Sequence, residues 1–177
     1  MNQINNIPIG KKIPDDIYGI IEIPAYSSPV KYELHKDYNM LFVDRFIATP
    51  MFYPCNYGFI NHTLASDGDP LDILIPTPYP IQSQSVIRCK PIGMLAMEDE
   101  KGKDIKIIAV PHQSLTEKYK DVREIQDLSI TLQKQILYFF ENYKNLEPKK
   151  WVKIQGWNNS QSAKNEILNA YINNKKK

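Results

Sequence analysis

The chain has 177 residues, 42% of them hydrophobic, with 22 basic side chains against 20 acidic ones. That length and apolar content suit one domain (1–177) with a sizeable core and exclude a disordered chain. A formal net charge of +2 is too small to point to nucleic acid or a membrane surface by charge alone.

In chain order, six short runs read as strands: YGIIEI (18–23), VKYELH (30–35), MLFVDRF (40–46), LDILI (71–75), SVIRCKPIGML (85–95) and IKIIAV (105–110). Each is rich in β-branched or aromatic residues and bounded by Pro, Gly, Asp or Asn. The 13 prolines and 7 glycines fall mostly between them, as punctuation within one β-rich unit. Two helices follow. Over 129–145, Leu132, Ile136, Phe139, Phe140 and Tyr143 recur at helical spacing, and over 160–173 Ala163, Ile167, Ala170 and Tyr171 do the same. Strands first and helices last predict an α+β, mainly β fold, a closed or partly closed barrel with flanking helices. Most gaps are too short for the crossover helices of a βαβ arrangement.

No run nears the roughly 20 apolar residues of a bilayer-spanning helix, and the start MNQINNIPIGKK has no apolar core of the secretory kind. Cys55 and Cys89 match no metal or redox spacing, so the expectation is a reduced, cytoplasmic protein with no membrane partner. Lys175, Lys176 and Lys177 read as a solvated, frayed end. Phosphate-loop, dinucleotide, H-E-x-x-H and G-x-S-x-G motifs are absent, which gives no support to a nucleotide cofactor. His35, His62 and His112 are far apart in sequence and read as surface or satisfied polar residues, with a zinc site left open.

The informative segment is SDGDPLD, 66–72. Asp67-Gly68-Asp69-Pro70 has the chemistry of a tight turn. Asp72 does not fit that account. In LDILI, alternation puts Leu71, Ile73 and Ile75 on one face and Asp72 with Leu74 on the other. A carboxylate on a partly enclosed face is costly unless paired, hydrogen-bonded or metal-bound. Converging carboxylates repel, and a hard divalent cation such as Mg2+ relieves the repulsion through oxygen ligands. An EF-hand is ruled out: counting from Asp67, its fifth and sixth positions would be Leu71 and Asp72.

A second acidic cluster, EDEKGKDIK (98–106), sets Asp99, Glu100 and Asp104 around Gly102 between two strands. By itself it reads as a solvated hairpin turn; with the first cluster it suggests a shared multi-metal site. Lys31 and Glu33 share a strand face opposite Val30, Tyr32 and Leu34. Arg45 falls on the face of Leu41 and Val43, at a barrel interior or mouth. Acids together with Lys and Arg suggest metal ions holding a polyanionic phosphate and activating water. Two other readings stay open: an OB-like single-stranded nucleic-acid-binding barrel, favoured by 11 tyrosines, and a Ca2+-stabilised structural module.

The segment DGDPLD resembles the D-[SG]-D-P-x-D signature of the soluble family I inorganic pyrophosphatases. The likeness extends through DIYGIIEIP, PVKYEL, LFVDRF, MFYPCNYGFI, LIPTPYP, EDEKGKDIK, IIAVP, FFENYK and WVKIQGW, and is greatest to the bacterial short-chain form. The resemblance implies a five-stranded OB-like closed barrel with flanking α-helices, assembled as a homohexamer, that hydrolyses inorganic diphosphate with several Mg2+ ions per active site. It implies Asp67, Asp72 and Asp104 as ligands of the tightest metal sites, Asp99 as a ligand of the metal that arrives with substrate, and Asp69 as the base toward metal-bound water. Lys31, Arg45, Tyr57, Tyr143 and Lys144 match residues that hold the two phosphate groups. Glu22, Glu33, Tyr53, Glu100, Lys106 and Glu147 match further polar positions of the cavity. For Tyr143, periodicity favours plain core packing, and only the resemblance reads it as a ligand.

Overall fold

The structure, a computed structural model, describes residues 4–176. Strands β1 (Gly10–Lys12) and β2 (Asp16–Ile23) precede a hairpin of β3 (Val30–His35) and β4 (Met40–Phe46). Then come β5 (Asn56–Ile60), β6 (Asp72–Ile75), β7 (Val86–Asp99) and β8 (Gly102–Pro111). Helix α1 (Ile130–Asn142), strand β9 (Val152–Asn159) and helix α2 (Ser160–Lys175) complete the chain.

Five strands close on themselves. β2 pairs with β5, β5 with β6, β6 with β8, β8 with β7, and β7 returns to β2. Within this ring only β6 and β8 run parallel. Closure satisfies backbone groups that an open sheet would leave at its edges. The result is the OB-like closed barrel with flanking helices that the sequence led us to expect.

Alternation along the strands sorts the apolar residues into two large clusters and a small third one of Ile4, Ile20, Leu34 and Phe59. Ile17, Ile21, Ile73, Ile75, Cys89, Ile107 and Ala109 gather with Ala163, Ile167 and Ala170 of α2. Tyr57, Leu74, Leu95, Met97, Ile108 and Val110 gather with Ile136, Phe139 and Phe140 of α1. Leu74 therefore takes the α1 side and Ile73 and Ile75 the other, as the LDILI pattern requires. Ser129 caps α1 by accepting from the Leu132 N–H at 3.3 Å, and Asn159 caps α2 by accepting from the Ser162 N–H at 2.9 Å. α2 ends at Lys175, two residues past expectation, and Lys177 lies outside the described residues.

The strand expectations need several corrections, beginning with the short β1, which was not read from sequence. Strand β5, a member of the ring, went unread: NYGFI is short, centred on Gly58 and buried throughout, so it carries no alternation. β9 was hidden by Gly156, whose φ of +123° interrupts an alternating half-exposed strand. β3 and β4, taken as barrel strands, form a separate two-stranded sheet. β7 also continues past Leu95 to Asp99, which shortens the acidic loop to a tight turn before Gly102.

Gly58 holds the ring together at one close approach. A Cβ there would lie 1.8 Å from the Ile20 carbonyl oxygen and 2.9 Å from Ile21 Cα, both backbone atoms of β2. Gly58→Ala should therefore pry β2 from β5 and cost about 3 kcal/mol, read as a lowered urea midpoint. A midpoint equal to that of the parent protein would show that this seam does not constrain the barrel.

Candidate active site

A cavity of about 260 Å³ opens beside the ring where β2, β5, β6, the β7–β8 hairpin, the end of α1 and the β3–β4 hairpin meet. It is lined by Glu22, Lys31, Glu33, Arg45, Tyr53, Tyr57, Asp67, Asp69, Asp72, Asp99, Glu100, Asp104, Lys106, Tyr143 and Lys144. Every site residue expected from sequence thus stands on one wall or another, except Glu147. Glu147 stands one layer back: its Oε1 accepts from Arg45 Nε at 3.1 Å and its Oε2 forms an ion pair with Lys150 Nζ at 3.2 Å.

The SDGDPLD loop is held on both sides. Thr63 Oγ1 accepts from the Leu71 N–H at 2.9 Å and donates to the Ile60 carbonyl at 2.6 Å. The Leu64 N–H donates to the Ala170 carbonyl at 2.9 Å, which ties the loop to α2. Gly68 takes a φ of +94°, and the Asp67 carboxylate accepts from the Asp69 N–H at 3.1 Å. The turn leaves Asp67 and Asp69 exposed at the cavity mouth, while Asp72 enters the barrel wall opposite Phe59 and Lys106.

Deeper in, acids and cations interleave. Lys106 is 4% exposed and its ammonium touches Asp72 Oδ2 and, at 2.7 Å, Asp104 Oδ1. It also lies 5.7 Å from the ring centres of Tyr57 and Phe140. Burial opposes its charge, but the fields of Asp72 and Asp104 outweigh that and hold its pKa well above the usual lysine range. Asp104 is pushed upward by burial; Lys106 pulls it down and the Asp72 charge adds to the rise. Lys144 donates to Asp99 at 2.6 Å and to Glu100 at 3.3 Å. Burial raises the Asp99 carboxyl, yet the Lys144 bond and the Lys101 N–H bring it below the ordinary value.

Glu22, on β2, is buried and accepts from the Leu34 N–H at 2.8 Å. Burial pushes its carboxyl up to about 8, against the Leu34 bond and helped by the Asp72 charge. Tyr53 and Tyr57 are raised well above the ordinary tyrosine value, first by burial, so both phenols remain O–H donors. Tyr143 serves two purposes: its ring stacks on Phe139 at 5.1 Å while the residue lines the cavity at the end of α1.

The β3–β4 hairpin supplies Lys31 and Arg45 as register partners. A bulge opposite Lys31 and Tyr32 inserts Asp44 as an extra residue, so strict alternation fails there, and Arg45 does not share the face of Val43. Asp44 was missed from sequence for that reason. It accepts from Arg45 Nη1 at 2.7 Å and lies 3.3 Å from Lys31 Nζ. Lys36, Lys101 and Lys150 also line the cavity unforeseen, because lysines in turns carry no positional signal.

Oxygen-only carboxylates of Asp67, Asp72, Asp99 and Asp104 around one cavity are a donor set suited to a hard divalent cation. The Asp104 carboxyl is raised first by burial and further by the Asp72 charge, a repulsion that such a cation would offset. Among the described residues, no three His, Cys, Asp or Glu side chains form a ready-made cage. The carboxylates meet in pairs around Lys106 and Lys144 instead, and the histidines build no metal centre among those residues.

Comparison with known proteins agrees with this geometry. The chain is 56% identical to an inorganic pyrophosphatase of Yersinia pestis over 173 residues, 98% of this chain and 99% of the relative. The structure of an inorganic pyrophosphatase from Coxiella burnetii superposes with a TM-score of 0.90 at 46% identity, covering 94% of this chain and 99% of that one. The Thermus thermophilus inorganic pyrophosphatase superposes with a TM-score of 0.92 at 38% identity, covering 99% of each chain. The family model described as inorganic pyrophosphatase matches residues 19–175, and the chain belongs to that family.

Proposed function

We propose that the whole chain is one catalytic domain that hydrolyses inorganic diphosphate to two phosphates in the presence of Mg2+. Asp69 is the general base toward the attacking water. The observation that carries this reading is the charge of the cavity: nine carboxyl groups line it against seven lysine and arginine side chains, and even with Glu22 protonated the acids outnumber the cations. A polyanion does not enter an acid-rich cleft unless further cations enter with it. Mg2+ held by Asp67, Asp72, Asp99 and Asp104 would supply that charge and acidify water.

The chain's own groups do the rest. Lys31, Arg45 and Lys144 hold phosphate oxygens, Glu147 and Asp44 aim Arg45, and the Tyr57 and Tyr143 phenols donate without adding charge. Water attacks one phosphorus, the bond from that phosphorus to the bridging oxygen breaks, and the bridging oxygen leaves with the second phosphate. Asp69 stands exposed at the mouth, where it can take the proton from the water. No covalent intermediate is needed. The same acid excess weighs against the nucleic-acid-binding alternative, since a phosphate backbone would meet it without the compact charge of a diphosphate–metal complex.

Assembly into a homohexamer and a cytoplasmic location belong to this reading as well. An exposed apolar groove lined by Tyr26, Phe52 and Tyr138 supports self-association. No helix among the described residues is long and apolar enough to cross a membrane.

The deciding experiment measures phosphate release from diphosphate with Mg2+, with Ca2+ and with chelator. Turnover should require Mg2+, and Asp69→Asn should lower kcat by about 10²–10⁴-fold while largely sparing metal binding. Full activity of that variant would remove Asp69 from the base role. Glu22 gives a separate check in chelated protein. Its folded carboxyl, at about 8 against an ordinary 4.5, keeps a proton that the unfolded chain has lost. Stability from this group therefore falls as pH rises through that window. Glu22→Gln should gain roughly 3 kcal/mol on the parent protein between pH 5 and pH 8 in urea unfolding. A difference that stays constant with pH would show that Glu22 is not buried as a neutral acid.

A further inference from the structure

Five of the seven cations in the cavity are already engaged. Lys31 contacts Glu33 and Asp44, Arg45 contacts Asp44 and Glu147, Lys106 contacts Asp72 and Asp104, Lys144 contacts Asp99 and Glu100, and Lys150 contacts Glu147. A phosphate that reaches any of these must share the cation with a carboxylate. Lys36 and Lys101 have no carboxylate within ion-pair distance among the described residues. Lys101 is exposed on the β7–β8 turn, whereas Lys36 is half-buried just past the end of β3.

The placement of Lys36 is specific. Its ammonium lies 5.3 Å from the centre of the Phe59 ring, and Phe59 is itself buried in β5 as the register partner of Asp72. The aromatic face fixes the lysine stem and leaves the ammonium on the Glu22 and Asp69 side of the cavity. Burial draws its proton affinity down, against the nearby carboxyl groups of Glu22 and Asp69. A cation steadied by an aromatic ring and not bonded to a carboxylate has its N–H donors free for an incoming anion.

We propose that Lys36 is a further substrate-binding residue that holds the phosphoryl group on the Asp69 side of the cavity. The assignment rests on the diphosphatase reading above and adds to it a residue outside the set expected from sequence. An ammonium donating to a phosphate oxygen contributes like other charge-assisted hydrogen bonds, reduced here by partial exposure and salt, which gives about a tenfold effect on affinity. Because that contact is present in both bound substrate and transition state, its loss raises KM more than it lowers kcat.

The test uses the full chain with Mg2+ and compares Lys36→Met, which retains an apolar stem against Phe59, with Lys36→Arg, which retains charge. Calorimetric titration with inorganic phosphate reads binding without turnover, and diphosphate kinetics reads KM and kcat separately. Lys36→Met should bind phosphate about tenfold more weakly and raise KM by a similar factor, with Lys36→Arg within about threefold of the parent in both. Phosphate affinity unchanged in Lys36→Met would overturn the assignment, as would a lowered melting temperature with no binding change, the mark of a purely structural lysine. Absence of phosphate release by the parent protein would instead strike the diphosphatase reading, and the phosphate titration would still decide on Lys36.

Discussion

The ammonium of Lys106 lies buried between the carboxylates of Asp72 and Asp104, and much of the fold is needed to put it there. Asp72 and Lys106 are register partners across the ring's one parallel pair, β6 with β8. A shift by one residue in either strand would turn one of them to the opposite face, into the Ile73 and Ile107 cluster. The register is held by those isoleucines on one side and by Leu74 and Ile108 against α1 on the other. Packing of ordinary apolar residues thus fixes where two acids and a lysine meet. Removing one partner from such a set leaves an uncompensated buried charge, which costs far more than the intact set contributes.

Around that centre the barrel acts as a rigid mount and the loops supply reach. The short SDGDPLD turn, tied to Thr63 and to α2, carries two exposed acids to the mouth. The separate β3–β4 sheet brings Lys31 and Arg45 from outside the ring, and the end of α1 brings Tyr143 and Lys144. Three elements therefore converge on one cavity, each packed against the barrel. The interleaving of acids with cations keeps the walls together despite their crowding, and the remaining acids are what the proposed function would meet with further cations.

Much of this was legible in the residues, for identifiable reasons. Asp72 in LDILI announced itself because alternation left an acid on a face with Leu74, and the cluster memberships of Leu74 and Ile73 follow the same alternation. The stripe of Ile136, Phe139 and Phe140 gave α1 its buried face directly. β5 stayed hidden because burial on both faces erases alternation, and the Asp44 bulge because an inserted residue leaves no trace in composition. Lys36 could not be singled out, since its proposed role rests on an aromatic ring 23 positions away in sequence and on having no carboxylate partner among the described residues. The convergence of the two acidic clusters was suggested by their pattern, but the lysines threaded between their carboxylates belong to tertiary structure alone.

The central claim is that this cavity accepts diphosphate only together with divalent cations. It is tested most directly by calorimetric binding of a methylene-bridged diphosphate analogue, whose P–C–P link water cannot cleave, with Mg2+ and then with chelator. The charge balance of the lining predicts binding at least about a hundredfold weaker without metal. Equal affinity in the two conditions would contradict it and would mean that the lysines and arginine alone hold the polyanion.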